Sequence, residues 1–251
     1  MHAMSEAPPV EALRVSIGLM NSPIRLIAIG GGGFTHEADP AMEDFILAQS
    51  GRARPRIGYI GAASQDDPVK ISRFHKRFAG LCAGLSHLPQ DCNAQEASHW
   101  AEGLDIIYVG GGNTLHLIAH WRQNGWDTLL KAAARQGVLM AGVSAGASVW
   151  FEQALSDAGG RGLLPVQGIG MVGGSCCPHF SSEPQRQPAF AAAIASGALG
   201  AGLAIDDGVA VLIEGNQAAA TFSARAQAGA YQLSRQGAGV QSKALPVTHQ
   251  A

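Results

Sequence analysis

Residues 137–147 read Gly-Val-Leu-Met-Ala-Gly-Val-Ser-Ala-Gly-Ala, an apolar run that breaks into small residues around Ser144. A strand this continuously apolar has no polar face to offer water, so it must be covered on both sides. Three more stretches repeat the pattern. Residues 25–29 (RLIAI) run into Gly30-Gly31-Gly32-Gly33, residues 56–60 (RIGYI) into Gly61-Ala62-Ala63-Ser64, and residues 105–109 (DIIYV) into Gly110-Gly111-Gly112-Asn113-Thr114. Between them, residues 41–51, 69–85, 115–124 and 126–136 have the texture of helices. Apolar strands that end in glycine and alternate with helices are βα units. The fold predicted is α/β, with a mostly parallel, doubly wound sheet.

Beyond residue 200 the texture changes. Residues 203–214, 218–224 and 230–235 read as successive strands joined by tight turns such as Gly215-Asn216, expected as antiparallel additions at the edge of the sheet. A single domain is expected over residues 22–235, with mobile arms at 1–21 and 236–251.

Only 14% of the 251 residues are charged and 47% are apolar, which excludes a disordered chain. Lys and Arg total 17 against 19 Asp and Glu, so the basic excess of a nucleic-acid binder is missing. No run approaches the ~20 apolar residues of a membrane helix, and the opening residues lack a secretory apolar core. Cys82, Cys92, Cys176 and Cys177 form no C-x-x-C pair and match no zinc spacing. The expectations are reduced thiols, a cytoplasmic location, and neither metal nor organic cofactor.

Open α/β sheets bind ligands at the carboxyl ends of their strands, so the four glycine-rich turns should face one rim. Gly142-Val143-Ser144-Ala145-Gly146 is G-x-S-x-G between an apolar strand and residues 147–151, which can begin a helix. Such an elbow exposes a serine hydroxyl, and the next N–H, that of Ala145, points toward the same spot. The glycines at 110–112 leave backbone N–H groups bare for an anion or a developing oxyanion. Neither this loop nor Gly30 to Gly33 fits a nucleotide site. The third glycine of G-x-G-x-x-G falls on Leu115 in one and on Thr35 in the other, and no Lys-Ser/Thr follows.

A serine nucleophile needs a base and an orienting acid. Among nine histidines, His179 stands out in the loop Gly173 to Phe180, where Pro178 fixes the approach. Candidate acids after it are Glu183, Asp206, Asp207 and Glu214; before it lie Glu152 and Asp157. Asp207 is preferred, since Asp206-Asp207-Gly208 interrupts two apolar runs, and Asp157 is the alternate.

Taken in order, Gly110-Gly111-Gly112-Asn113-Thr114, Gly142 to Ala147 and Cys177-Pro178-His179-Phe180 resemble the aspartyl dipeptidase (peptidase E) and cyanophycinase family of serine peptidases. The resemblance spans residues 25–225. It implies a flavodoxin-like fold similar to class I glutamine amidotransferases, with serine in place of their cysteine. It further implies Ser144 as nucleophile, His179 as base, and the N–H groups of Gly112 and Ala145 as the oxyanion hole. The family's acid lies in a segment like 205–208, matching Asp207; an acid soon after the serine has also been favoured, and Asp157 is its counterpart.

Cys177-Pro178 before the histidine resembles the dipeptidase branch; cyanophycinases tend to carry Asp-Gln there. In that branch an arginine after the histidine holds the substrate's N-terminal aspartate. Arg186 is the match, with Asn113 also expected at the substrate. The function implied is hydrolysis of short Asp-X peptides through an acyl-enzyme. The alternatives are a cyanophycinase-like hydrolase of β-Asp-Arg peptides and a non-catalytic binding protein of amidotransferase-like fold. The expected partners are short peptides, not nucleic acid or membrane, and a homodimer is left open.

Overall fold

The computed structural model describes residues 23–157 and 159–249, so the expected N-terminal arm lies outside the described residues. Strands β1 (Arg25–Ile29), β2 (Arg56–Ile60), β3 (Gly84–Leu88), β4 (Ile106–Val109) and β5 (Leu139–Val143) come first. Next are β6 (Phe151–Ser156), β7 (Leu164–Gln167), β8 (Val172–Cys177) and β9 (Gly202–Ile205). The last are β10 (Val209–Glu214), β11 (Gln217–Ser223), β12 (Ala230–Gln236), β13 (Gly239–Ala244) and β14 (Thr248–His249). The helices are α1 (Ala41–Gln49), α2 (Pro68–Phe78), α3 (Ala94–Ala101), α4 (Thr114–Asn124), α5 (Trp126–Arg135), α6 (Ala145–Ser148) and α7 (Arg186–Ser196).

Eight strands form the main sheet in the order β14-β11-β10-β1-β5-β4-β2-β3. From β1 to β3 every neighbour is parallel, and β10 and β11 add antiparallel beyond β1. The period of two is visible in the packing. Leu26 and Ala28 face a core with Trp121 and Trp126 of α4 and α5, while Ile27 and Ile29 face Met42 of α1 and Phe74 and Phe78 of α2. Both faces are covered, which is why β1, β2, β4 and β5 are apolar beyond the arginines that open β1 and β2. Each fully buried Phe or Ile contributes about 1.5–3 kcal/mol of transfer free energy.

A second, six-stranded sheet, β13-β12-β9-β8-β6-β7, was not legible in the sequence. Cys176, Leu203 and Ile205 on one face join the core under α4 and α5. Cys177 and Ala204 on the other pack against Phe190 and Ile194 of α7.

Several expectations need correction. The stretch 203–214 is two strands in two sheets, with the chain crossing between them at residues 206–208. Of the expected C-terminal arm, the described part, residues 236–249, is no free arm: β13 pairs with β12 from Tyr231↔Ala244 to Gln236↔Gly239, and β14 pairs with β11. β13 is almost wholly exposed and mostly polar, so it carries little strand signal. The helix expected over 69–85 stops at Phe78, and the chain turns at Gly80 (φ 77°) into edge strand β3, where only Leu88 is buried. After the elbow, α6 lasts four residues and Phe151 already belongs to β6.

Candidate active site

The parallel strands β1, β2, β4 and β5 do end at one rim, and a cavity of about 290 Å³ opens there. Thr35, Lys70, Gly111, Gly112, Ser144 and His179 are among its lining residues. Ser144 ends β5 with φ 57° and ψ −115°, a left-handed conformation that L-residues adopt at a cost of ~1–3 kcal/mol. The surroundings enforce this strain. A β-carbon on Gly142 would stand 2.0 Å from the Gly146 carbonyl oxygen, and one on Gly146 would stand 2.2 Å from that of Val109. The flanking glycines are thus required by close backbone approach, and the elbow is wedged against β4.

His179 and Asp207 come from the second sheet. β8 and β9 are parallel neighbours, with Cys177 opposite Ala204, so the loops that follow them leave side by side. Phe180 N–H donates to the Ile205 carbonyl (3.1 Å), fixing the histidine loop on β9. Asp207 then bridges to Gly31, and Gly208 N–H donates to the Gly31 carbonyl (2.9 Å), tying the acid's turn to the end of β1. The result is a hydrogen-bonded chain. His179 Nε2 lies 2.8 Å from Ser144 Oγ, and His179 Nδ1 lies 2.6 Å from Asp207 Oδ1.

Burial alone would raise the Asp207 pKa. The hydrogen bond and charge of His179, the Ser182 hydroxyl and the Arg225 guanidinium outweigh that, holding the carboxyl below its ordinary value. An ionised carboxylate on Nδ1–H fixes the tautomer that leaves Nε2 free to accept the Ser144 proton. Asp157 lines the cavity, but both ring nitrogens of His179 are engaged elsewhere; its carboxylate accepts the Gly159 N–H at 3.3 Å.

Arg186 is the first residue of α7 and its side chain is only 7% exposed. It lines the cavity, though with commitments of its own. Nε donates to Glu183 Oε2 (2.7 Å) and Nη1 to the Leu155 carbonyl (3.3 Å). Asn113, expected at the substrate, instead caps α4: its Oδ1 accepts the His116 N–H (3.0 Å), and its own N–H donates to Ala63 (2.8 Å). Gly112 and Thr114 beside it do line the cavity.

Burial pushes the Cys177 thiol up to about 12 and that of Cys176 higher, so neither is a thiolate near neutrality. Among the described residues, no group of three or more His, Cys, Asp or Glu side chains is placed to hold a metal ion, and no helix is long and apolar enough to cross a membrane.

Reading from sequence missed three contributors: Gly31 beneath the acid, the Ser182 hydroxyl on it, and Lys70 in the cavity wall. A signal existed for the first, in a glycine run longer than one turn needs. Ser182 and Lys70 had none.

A half-buried serine, an imidazole and a carboxylate stand in one hydrogen-bonded line at the rim of an α/β sheet, the set of groups that acyl-transfer hydrolysis uses. The comparisons with known proteins make the class specific. Residues 26–221 match peptidase family S51, and the chain belongs to that family, as a serine peptidase. It is 39% identical over 211 residues to the uncharacterized peptidase YgaJ of Bacillus subtilis (strain 168), covering 83% of this chain and 91% of that protein.

Two solved structures share the fold. One is a peptidase from an acI-B1 actinobacterium, with a TM-score of 0.66 at 15% identity, covering 89% of this chain and 98% of that one. The other, from Listeria monocytogenes EGD-e, carries a provisional peptidase E designation; its TM-score is 0.58 at 17% identity, covering 90% and 100%.

Proposed function

We propose that the protein is a serine exopeptidase that hydrolyses short peptides with an N-terminal Asp, with Ser144, His179 and Asp207 as its catalytic triad. The observation that carries this reading is the unbroken hydrogen-bond chain from Ser144 Oγ through both ring nitrogens of His179 to Asp207. Ser144 attacks the scissile carbonyl while His179 Nε2 takes its proton. Asp207 keeps the ring in register and stabilises the imidazolium that forms. The N–H groups of Gly112 and Ala145 receive the oxyanion. His179 then returns the proton to the leaving amine, and water, activated by the same nitrogen, releases the acyl group.

A cavity of about 290 Å³ lies at the small end for ligand sites, which favours di- and tripeptides. Arg186 suits the carboxylate of an N-terminal Asp, as a planar fork that grips two oxygens. Glu183 and Asp157 in the same wall suit the α-ammonium group. The reading includes a cytoplasmic location, supported by four unbridged cysteines.

The test is hydrolysis of Asp-Leu, Asn-Leu and isoaspartyl-Leu by the full chain and by Ser144→Ala. Asp-Leu should be turned over best, and the variant should lose at least ~10³-fold in kcat with an unchanged melting temperature. Wild-type-like turnover by Ser144→Ala would sink the mechanism; preference for another peptide would sink only the specificity.

A further inference from the structure

Lys70 lies in the wall of the same cavity, and its Nζ donates to the Gly111 carbonyl at 3.0 Å. That carbonyl belongs to the same peptide plane as the Gly112 N–H. In a trans peptide the two point in opposite directions, so whatever fixes one aims the other. The loop is pinned on either side of this plane: Gly110 N–H donates to Ile60 (3.0 Å) and Asn113 N–H to Ala63 (2.8 Å). Between those anchors, the 111–112 peptide is flanked by two glycines, so no β-carbon resists its turning over. Lys70 is the side chain that grips it. Its position is otherwise unfavourable, because a cation in the first turn of α2 opposes the helix dipole.

We propose that Lys70 is a positioning residue that locks the Gly111–Gly112 peptide with the Gly112 N–H facing the reacting carbonyl. The ammonium also polarises the peptide it holds, which strengthens the N–H as a donor. This rests on the assignment of Ser144 as nucleophile and of Gly112 to the oxyanion hole. Lys70 touches no reacting atom in this role; it acts through the backbone.

Phenylmethylsulfonyl fluoride separates the possibilities, because it carries no carboxylate that Lys70 could bind. Ser144 Oγ displaces fluoride from sulfur, His179 takes the hydroxyl proton, and charge builds on a sulfonyl oxygen in the transition state. The second-order rate of Ser144 modification is measured by mass spectrometry for wild type, Lys70→Met, Lys70→Gln and Lys70→Arg, with melting curves alongside. The expected result is a 10- to 100-fold slower reaction for Lys70→Met, the range of a hydrogen bond to a charged donor. Lys70→Gln should fall between, since it keeps a neutral donor, and Lys70→Arg should be the fastest of the three. With Asp-Leu, the loss should fall on kcat and leave KM within about threefold. Equal modification rates across the folded variants, or a loss confined to KM, would overturn the proposal. A wild type that the reagent does not modify at Ser144 would instead overturn the nucleophile assignment beneath it.

Discussion

Gly31→Ala tests how tightly the acid is held. A β-carbon built on Gly31 would stand 2.1 Å from Asp207 Oδ1 and 2.7 Å from His179 Cε1 and Nδ1. Ordinary contact begins at 3.4 Å, so the carboxylate oxygen must retreat by about 1.3 Å (3.4 less 2.1). That oxygen is the one bonded to His179 Nδ1 at 2.6 Å, and a retreat of this size breaks or badly bends the bond. Misplacing a reacting group by about 1 Å costs on the order of 10²-fold in rate. We therefore expect Gly31→Ala to lower kcat for Asp-Leu by about 10²-fold, with Asp207→Asn as the more severe comparison.

Gly31 does not lie in the left-handed region, so the substitution adds crowding without backbone strain. Its stability cost should be the ~1–3 kcal/mol of overpacking, a drop of roughly 2–10 °C in a chain of this size. The assay is kcat and KM with melting curves for Gly31→Ala, Asp207→Ala and the double variant. The double variant should lose much less than the product of the single losses, since both act on the same hydrogen bond. Activity of Gly31→Ala within threefold of wild type would refute the argument that this glycine seats the acid.

Two further outcomes follow from charges that the fold buries. Arg186→Ala should cost ~2–5 kcal/mol of kcat/KM on Asp-Leu, because it leaves the substrate carboxylate without its cation and beside Glu183. Asn-Leu should lose far less, and equal losses on the two peptides would mean that Arg186 only braces the Leu155 carbonyl. Glu43 is fully buried beneath the Gly30–Gly33 loop, and desolvation raises its pKa from 4.5 to about 7 against the pull of the Phe34 N–H and Arg77. The folded state holds this proton more tightly than the unfolded chain. The stability due to Glu43 is therefore fully present below pH 4.5 and is lost as pH rises through 7. Compared with Glu43→Gln, wild type should lose about 3 kcal/mol between pH 4.5 and 8. Urea denaturation at both pH values measures it, and a pH-independent gap between the two proteins would refute it.

The main sheet was legible because its physics is local. β1, β2, β4 and β5 lie between two helical layers, so each is apolar on both faces and ends at a glycine where the chain must turn. Ser144 was legible for the same reason, because the elbow's demands on Gly142 and Gly146 fall within five residues. What sequence left open was the partner set. His179 and Asp207 leave adjacent strands of a sheet whose exposed, half-polar strands β7 and β13 carry little periodic signal. Asp157 and Asp207 were both acceptable acids by type and order. Tertiary structure brings only Asp207 against His179, because the chain crosses from the second sheet to the first at residues 206–208 and pairs Asp207 with Gly31 at the end of β1. Residue types and short spacings are fixed by local sterics, whereas the meeting of residues 31, 144, 179 and 207 depends on how two sheets share one core.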